Sequence, residues 1–251
     1  PGDIILQVDS LAVADTESGI TKLHDIQFEL RAGEVLGIGG LMGAGRTELL
    51  MHLFGAWGRR ISGQVRLKGR STAGWTPESI IQNGLVLAAE DRRRYGLHLG
   101  HEIGFNLSLS SLSSVTRGGF IQRNAEIRRN QGIFDSLRVK ATGLETVVGK
   151  LSGGNQQKVV LGKALLTQPS IILLDEPTRG IDVGAKLEIY EIINQLTAEG
   201  KAVILVSSEL PELIGMSDRI LMLNAGRIGG SFTRQEATQE KLMAAAMGHA
   251  G

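Results

Sequence analysis

Three short stretches of this sequence combine glycines, hydroxyls and carboxylates in patterns that could do chemistry. The first is Gly40, Leu41, Met42, Gly43, Ala44, Gly45, Arg46 and Thr47, set between an apolar run at residues 35–38 and a helix-like run at residues 48–54. That order reads as strand, glycine loop, helix. Glycines leave backbone N–H groups open to an anion, and a helix starting at the loop's end adds the positive end of its dipole. The ligand implied is a phosphate chain. The spacing follows G-x-x-x-x-G-K-[ST], in which the lysine reaches the outer phosphates and the hydroxyl holds Mg²⁺. Thr47 fits, and Arg46 stands where the lysine would be.

The second stretch is the apolar run at residues 171–174, which ends in Asp175 and Glu176. It places two acids at a strand's carboxyl end, where open α/β sheets bind ligands. Asp175 is suited to hold Mg²⁺ directly or through water, and Glu176 to orient or deprotonate an attacking water. Upstream lies the third stretch, Leu151, Ser152, Gly153, Gly154, Asn155, Gln156, Gln157 and Lys158, leading into the helical pattern Val160, Leu161, Ala164, Leu165. This is a second hydroxyl-and-glycine anion cradle at a helix start. Plainer readings stand beside these: a glycine turn that packs a helix on a strand, and two solvated acids that open a turn before Pro177.

The elements that must position these residues follow from hydrophobic period. Residues 4–8, the alternating Ile26, Phe28 and Leu30, and residues 65–67 read as half-buried strands of a small antiparallel sheet. Short continuous runs rich in branched residues at 85–88, 171–174, 202–206 and 220–223 carry the marks of parallel strands buried on both faces. Ile189, Ile192, Ile193 and Leu196 recur at helical spacing before Gly200, a helix stop, and give a crossover helix in a doubly wound sheet. From about Asp91 to Lys150 serines, glycines and arginines become dense, and residues 122–137 read as one polar-faced helix of an inserted, mostly helical subdomain. Arg92, Arg93 and Arg94 read there as a solvated face, with a partner or phosphate contact as the alternative.

Composition bounds the rest. With 42% hydrophobic residues, 251 residues supply a sizeable core, and 27 basic against 26 acidic residues give no field to draw the chain to nucleic acid or an anionic membrane. The absence of cysteine excludes disulfides and thiolate metal sites. No apolar run reaches the roughly 18 residues of a transmembrane helix, so membrane association would run through a partner. The start at Pro1, without methionine, suggests a piece of a longer polypeptide.

The order phosphate loop, Leu-Ser-Gly-Gly, Asp-Glu resembles the nucleotide-binding domain of ATP-binding-cassette (ABC) transporters over nearly the whole chain. More narrowly, residues 40–47, Glu90-Asp91-Arg92, residues 151–158, residues 175–182 and Val206-Ser207-Ser208-Glu209 are similar to the second cassette of the tandem ATPase subunit of ribose, galactose and xylose importers. The resemblance implies an α/β fold of the P-loop NTPase, RecA-like kind. It has a mostly parallel core sheet, an N-terminal antiparallel β subdomain and an inserted helical subdomain. The chain would be a single nucleotide-binding domain, with core and β subdomain at 1–90 and 158–251 and the helical subdomain with the signature at about 91–157. Two cassettes would pair head to tail around ATP and Mg²⁺. Residues 40–47 and Glu90 would bind phosphate, and Thr47, Asp175 and Glu90 would serve the metal. Glu176 would be the catalytic base with Ser208 beside it, and Ser152, Gly153, Gly154 and Asn155 would touch the γ-phosphate held by the partner. Asp182 would couple the two sites. On this arrangement an acid at Gly154 would face the partner's phosphates.

The implied partners are a second cassette, the missing N-terminal half of the same polypeptide, membrane permease subunits and, indirectly, a periplasmic sugar-binding protein, with no nucleic acid. The implied location is peripheral, on the cytoplasmic face of the inner membrane. The sequence departs from the family at four points: Arg46 for lysine, Glu90 for glutamine, Ser208 for the switch histidine, and no aromatic before Phe28 to stack on adenine. These point to a weakened pocket of its own beside an intact signature. Two alternatives remain at this stage, a regulatory nucleotide-binding module that never hydrolyses and a non-transport cassette ATPase.

Overall fold

The computed structural model describes residues 2–249; Pro1, Ala250 and Gly251 lie outside that range. In chain order the first half holds β1 (Ile4–Ala14), β2 (Thr21–Arg31), β3 (Val35–Gly40), α1 (Arg46–Leu53), β4 (Arg59–Leu67), β5 (Arg70–Ser71), α2 (Pro77–Gln82), β6 (Leu85–Ala88), α3 (Ile103–Ser108), β7 (Thr116–Arg117), β8 (Phe120–Ile121) and α4 (Arg123–Ser136). The second half holds α5 (Gly153–Leu165), β9 (Ile171–Asp175), α6 (Val183–Ala198), β10 (Ala202–Val206), α7 (Leu210–Met216), β11 (Arg219–Asn224), β12 (Arg227–Thr233) and α8 (Gln239–Ala246). The main sheet runs β12-β11-β3-β10-β9-β6, parallel except for its β12 edge. An antiparallel sheet runs β2-β1-β4-β5.

The continuous apolar runs are explained by burial on both faces of the main sheet. Successive strand side chains point to opposite sides. Leu36, Ile38, Ile171, Leu173 and Ile204 therefore meet the antiparallel sheet and α1, whereas Ile172, Leu174, Val203 and Leu205 meet α5 and α6. All five residues of β9 and of β10 are buried. Both sides cohere because these runs are apolar at every position, so neither face of the strand is left polar for water.

The expected strands are present, and the three of the antiparallel sheet, β1, β2 and β4, run well beyond their apolar patterns. β1 continues past Asp9 and Ser10, where the register slips between Val8 and Leu11 and Ser10 takes a left-handed φ of 43°. That bulge hides the continuation, since it breaks the alternation without ending the pairing. β12 has no expectation behind it; Gly229 and Gly230 dilute its pattern, and it survives as an edge strand on β11. Helix α4 lies within the expected span and buries only Asn130 and Phe134. Among the described residues no helix is long and apolar enough to cross a membrane.

Two contacts fix where β3, and so the phosphate loop, begins. Glu34 is buried before it, accepting from Arg219 Nε at 2.6 Å and from the Arg31 N–H at 2.7 Å. Asp218 accepts the Val35 N–H at 2.8 Å. Farther along, α5 is held to α6 by Lys158, which is only 1% exposed; its Nζ lies 2.7 Å from Glu188 Oε2 and donates to the Arg138 carbonyl at 2.9 Å. The Lys158 ammonium, first among the causes, holds the Glu188 carboxyl below its ordinary pKa.

Lys158→Met keeps the apolar stem but strips the charge, leaving a half-exposed Glu188 that water can take over, so the expected loss is about 1–3 kcal/mol. It is read as a lower urea midpoint at unchanged slope. Because the folded Glu188 pKa is depressed, its contribution is present above the ordinary 4.5 and is lost as pH falls through the folded value. The deficit of the variant should therefore narrow in acid.

Candidate functional site

The carboxyl ends of β3, β10, β9 and β6 lie side by side, and the chemistry-bearing residues are at those ends. β3 delivers the phosphate loop. Gly40 has φ 151°, and a Cβ there would stand 2.6 Å from the Leu223 carbonyl, so the backbone can pass between β11 and α1 only without a side chain. The loop turns on an Ala44 N–H to Leu41 carbonyl bond of 3.0 Å, with Leu41 and Met42 turned to solvent. Gly45 caps α1 without any side-chain bond, so the first N–H groups of the helix are left for a ligand.

β9 delivers the acids. Asp175 is buried at 2% exposure, and its Oδ1 has no hydrogen-bond partner. Burial, the dominant cause, raises its pKa to about 6; the Thr47 hydroxyl pulls the other way, Glu176 pushes it up again and Arg46 pulls it down. A desolvated carboxylate oxygen lacking a partner beside a hydroxyl at a phosphate loop fits a hard divalent cation, which Asp175 and Thr47 would hold. Glu176 follows in a left-handed conformation, φ 49°, with its N–H on the Val206 carbonyl at 2.9 Å. Its Oε1 lies 3.3 Å from Arg46 Nη1, and its Oε2 accepts from Ser208 Oγ at 3.1 Å. The structure thus gathers Arg46, Thr47, Asp175, Glu176 and Ser208.

Glu90, expected near the metal, has its Oε1 in an ion pair with the Arg179 guanidinium. The signature residues form a separate patch. Ser152 caps α5, accepting from Asn155 Nδ2 at 2.9 Å, while Asn155 Oδ1 accepts the Lys140 N–H at 2.8 Å. Gly153 is half-buried against the Gly180 carbonyl. Asp182 caps α6 through the Ala185 N–H at 2.9 Å. One expectation changes: a Cβ on Gly154 would stand 2.4 Å from Ala185 Cβ. An acid there would enter the α5–α6 contact and not face outward, so Gly154 is needed first for packing.

Sequence reasoning passed over several residues that the fold brings to this edge. Thr178 donates to buried Glu212 Oε1 at 2.8 Å, and Glu212 with burial pushes the Tyr190 hydroxyl pKa up, burial being the larger cause. Arg93 and Arg94 are exposed as expected, but Arg92 is partly buried and donates to Gln156 and to the Arg179 carbonyl. No local pattern marks these, because their partners lie far away in sequence.

A phosphate loop, a buried acid at the next strand but one and a capped glycine pair at a helix start, on a mostly parallel sheet flanked by an antiparallel one, define a P-loop cassette ATPase fold. Solved structures share it. An ATP-binding cassette of an ABC transporter aligns with TM-score 0.80 at 18% identity, covering 98% of this chain and 96% of that one. An ATP-binding subunit of an ABC transporter aligns with TM-score 0.78 at 23% identity, covering 97% and 99%. The chain belongs to the ABC transporter family, whose model matches residues 23–179. Among its relatives, the xylose import ATP-binding protein XylG of Geobacillus kaustophilus (strain HTA426) is 51% identical over 247 residues, 98% of this chain and 49% of that protein. The protein of the same name from Moorella thermoacetica (strain ATCC 39073 / JCM 9320) is 50% identical over 249 residues, 99% and 49%. The chain spans about half the length of these curated relatives.

An acid whose folded pKa lies above its unfolded value weakens the fold where it is ionised: not at all below about 3.8, increasingly up to about 6, and fully above. Asp175→Asn, with chelator present, should therefore stabilise the chain at pH 7.5 by up to about 3 kcal/mol and leave it unchanged near pH 4. Urea unfolding at the two pH values checks this.

Proposed function

We propose that this chain is the ATP-binding cassette of a bacterial sugar importer, of the xylose class that the relatives' names give. The single observation that carries the reading is buried Asp175, with an unpartnered Oδ1 beside Thr47 at the end of an open phosphate loop. In this reading Gly40, Leu41, Met42, Gly43, Ala44 and Gly45 cradle the phosphates, and Arg46 supplies the cation. Thr47 and Asp175 would hold Mg²⁺, which when bound neutralises charge on the outer phosphates. Glu90 lies at the neighbouring strand end, its charge offset by Arg179.

Glu176 orients or deprotonates water, and the Ser208 hydroxyl holds its second oxygen. The nucleotide would lie between this loop and the signature of a second cassette, the N-terminal half of the same polypeptide. Ser152, Gly153, Gly154 and Asn155 would complete the other site, and Asp182 would couple the two. Permease subunits would hold the pair at the cytoplasmic face of the inner membrane, and a periplasmic sugar-binding protein would act through them. Residues 1–90 and 158–251 would form the core with the β subdomain, and about 91–157 the helical subdomain.

A second reading, a cassette that binds nucleotide without hydrolysing it, is favoured by one contact. Arg46, where a lysine would point at phosphate, faces Glu176, and its forked guanidinium is not the compact ammonium of the usual loop.

Mg·ATP should bind the chain, and Arg46→Ala should weaken binding about 10- to 100-fold, the worth of a charge-assisted contact. Calorimetry measures it; equal affinity for both proteins would remove Arg46 from the phosphate site. Co-purification of the full-length subunit with a membrane permease and a sugar-binding protein separates transport from the other readings.

A further inference from the structure

The arginine run gains a role once its first member is followed through the fold. Glu90, Arg92 and Arg179 come from the loops after adjacent parallel strands β6 and β9. The Glu90 carboxylate pairs with Arg179. Arg92 reaches in two directions, its Nη1 donating to the Arg179 carbonyl at 3.2 Å and its Nε to Gln156 Oε1 at 3.4 Å. Gln156 passes the connection on, its Nε2 donating to the carbonyls of Val148 and Leu151 at 3.3 Å each, just ahead of Ser152. The third guanidinium nitrogen, Nη2, lies 2.9 Å from where a Cβ on Gly153 would stand. One side chain therefore touches the turn after β9 and the first turn of the signature helix while its own backbone belongs to the loop after β6.

An exposed ion pair alone would hold little, and Arg179 is 68% exposed. The fork of Arg92 is different: it is partly buried, and its two donors are fixed in one plane, so each contact orients the other. A lysine would donate from a single rotating ammonium and lose the fixed fork. Arg179 also sets a cation against Glu90, which lies just past the end of β6, the strand beside β9, where an unpaired carboxylate near Asp175 and Glu176 would be repelled.

We propose that Glu90, Arg92 and Arg179 form a latch that fixes the signature turn, residues 152–155, relative to the carboxylates Asp175 and Glu176. Arg92 and Arg179 are then positioning residues for both ends of a cassette. The effect on turnover rests on the ATPase reading above; the latch itself does not.

Hydrogen–deuterium exchange of the chain tests the contact, and steady-state hydrolysis by the full-length subunit tests its use. Glu90→Arg and Arg179→Glu should each raise exchange at residues 90–94, 153–157 and 179–182 about tenfold, and the double swap should bring it back to within about threefold of wild type. Arg92→Lys should loosen residues 153–157. In the subunit each single variant should lower kcat with KM for Mg·ATP held within about threefold, and the swap should restore kcat. Single variants that exchange like wild type, or a swap no better than its parents, would overturn the latch. Exchange that follows the pattern while kcat stays unchanged would overturn the positioning role. A full-length subunit that hydrolyses no ATP would sink the ATPase reading, and the exchange data would still judge the latch.

Discussion

The 3.3 Å contact between Arg46 Nη1 and Glu176 Oε1 joins the end of the phosphate loop to the end of β9, and the chemistry of this edge depends on it. Both side chains are largely out of water, at 15% and 8% exposure. A buried charge is tolerated when paired, and breaking the pair strands its partner. The phosphate loop has one cation, Arg46, and the end of β9 meets it with two acids, Asp175 and then Glu176, so Arg46 is shared. It faces Glu176 and draws the Asp175 pKa down, and an anion bound in the glycine loop would compete for the same guanidinium.

The surrounding structure holds this contact in place. β3 is started by Glu34 and Asp218, and its glycines let the backbone close on β11 before α1 begins. β9, buried along its length, ends in Asp175 with no solvent to satisfy Oδ1. The unfavourable ionisation of Asp175 is a stability cost that a bound cation would relieve. The second acid–arginine pair, Glu90 with Arg179, balances charge at the neighbouring strand end.

Most of this was legible in the residues. Continuous branched runs gave the parallel strands because burial on both faces removes polar alternation, and the glycine spacing gave the loop because only backbone N–H groups can line it. The antiparallel sheet was read short where Asp9 and Ser10 bulge, since a bulge looks like a strand end in one dimension. Contacts made across the sheet were invisible: Arg92 to Gln156, Thr178 to Glu212, and Glu90 to Arg179 join residues whose proximity follows only from strand order. Gly154 was read as part of an anion cradle, and the neighbour that leaves no room for a side chain there is Ala185 of the same chain.

The sharing of Arg46 between Glu176 and phosphate is tested most directly by Mg·ATP affinity in a double-mutant cycle of Arg46→Ala and Glu176→Gln. If Glu176 competes for the guanidinium, Glu176→Gln alone should tighten binding by about 3- to 10-fold, and the same change in the Arg46→Ala background should have no effect. Weaker binding by Glu176→Gln, or the same gain with and without Arg46, would contradict the account.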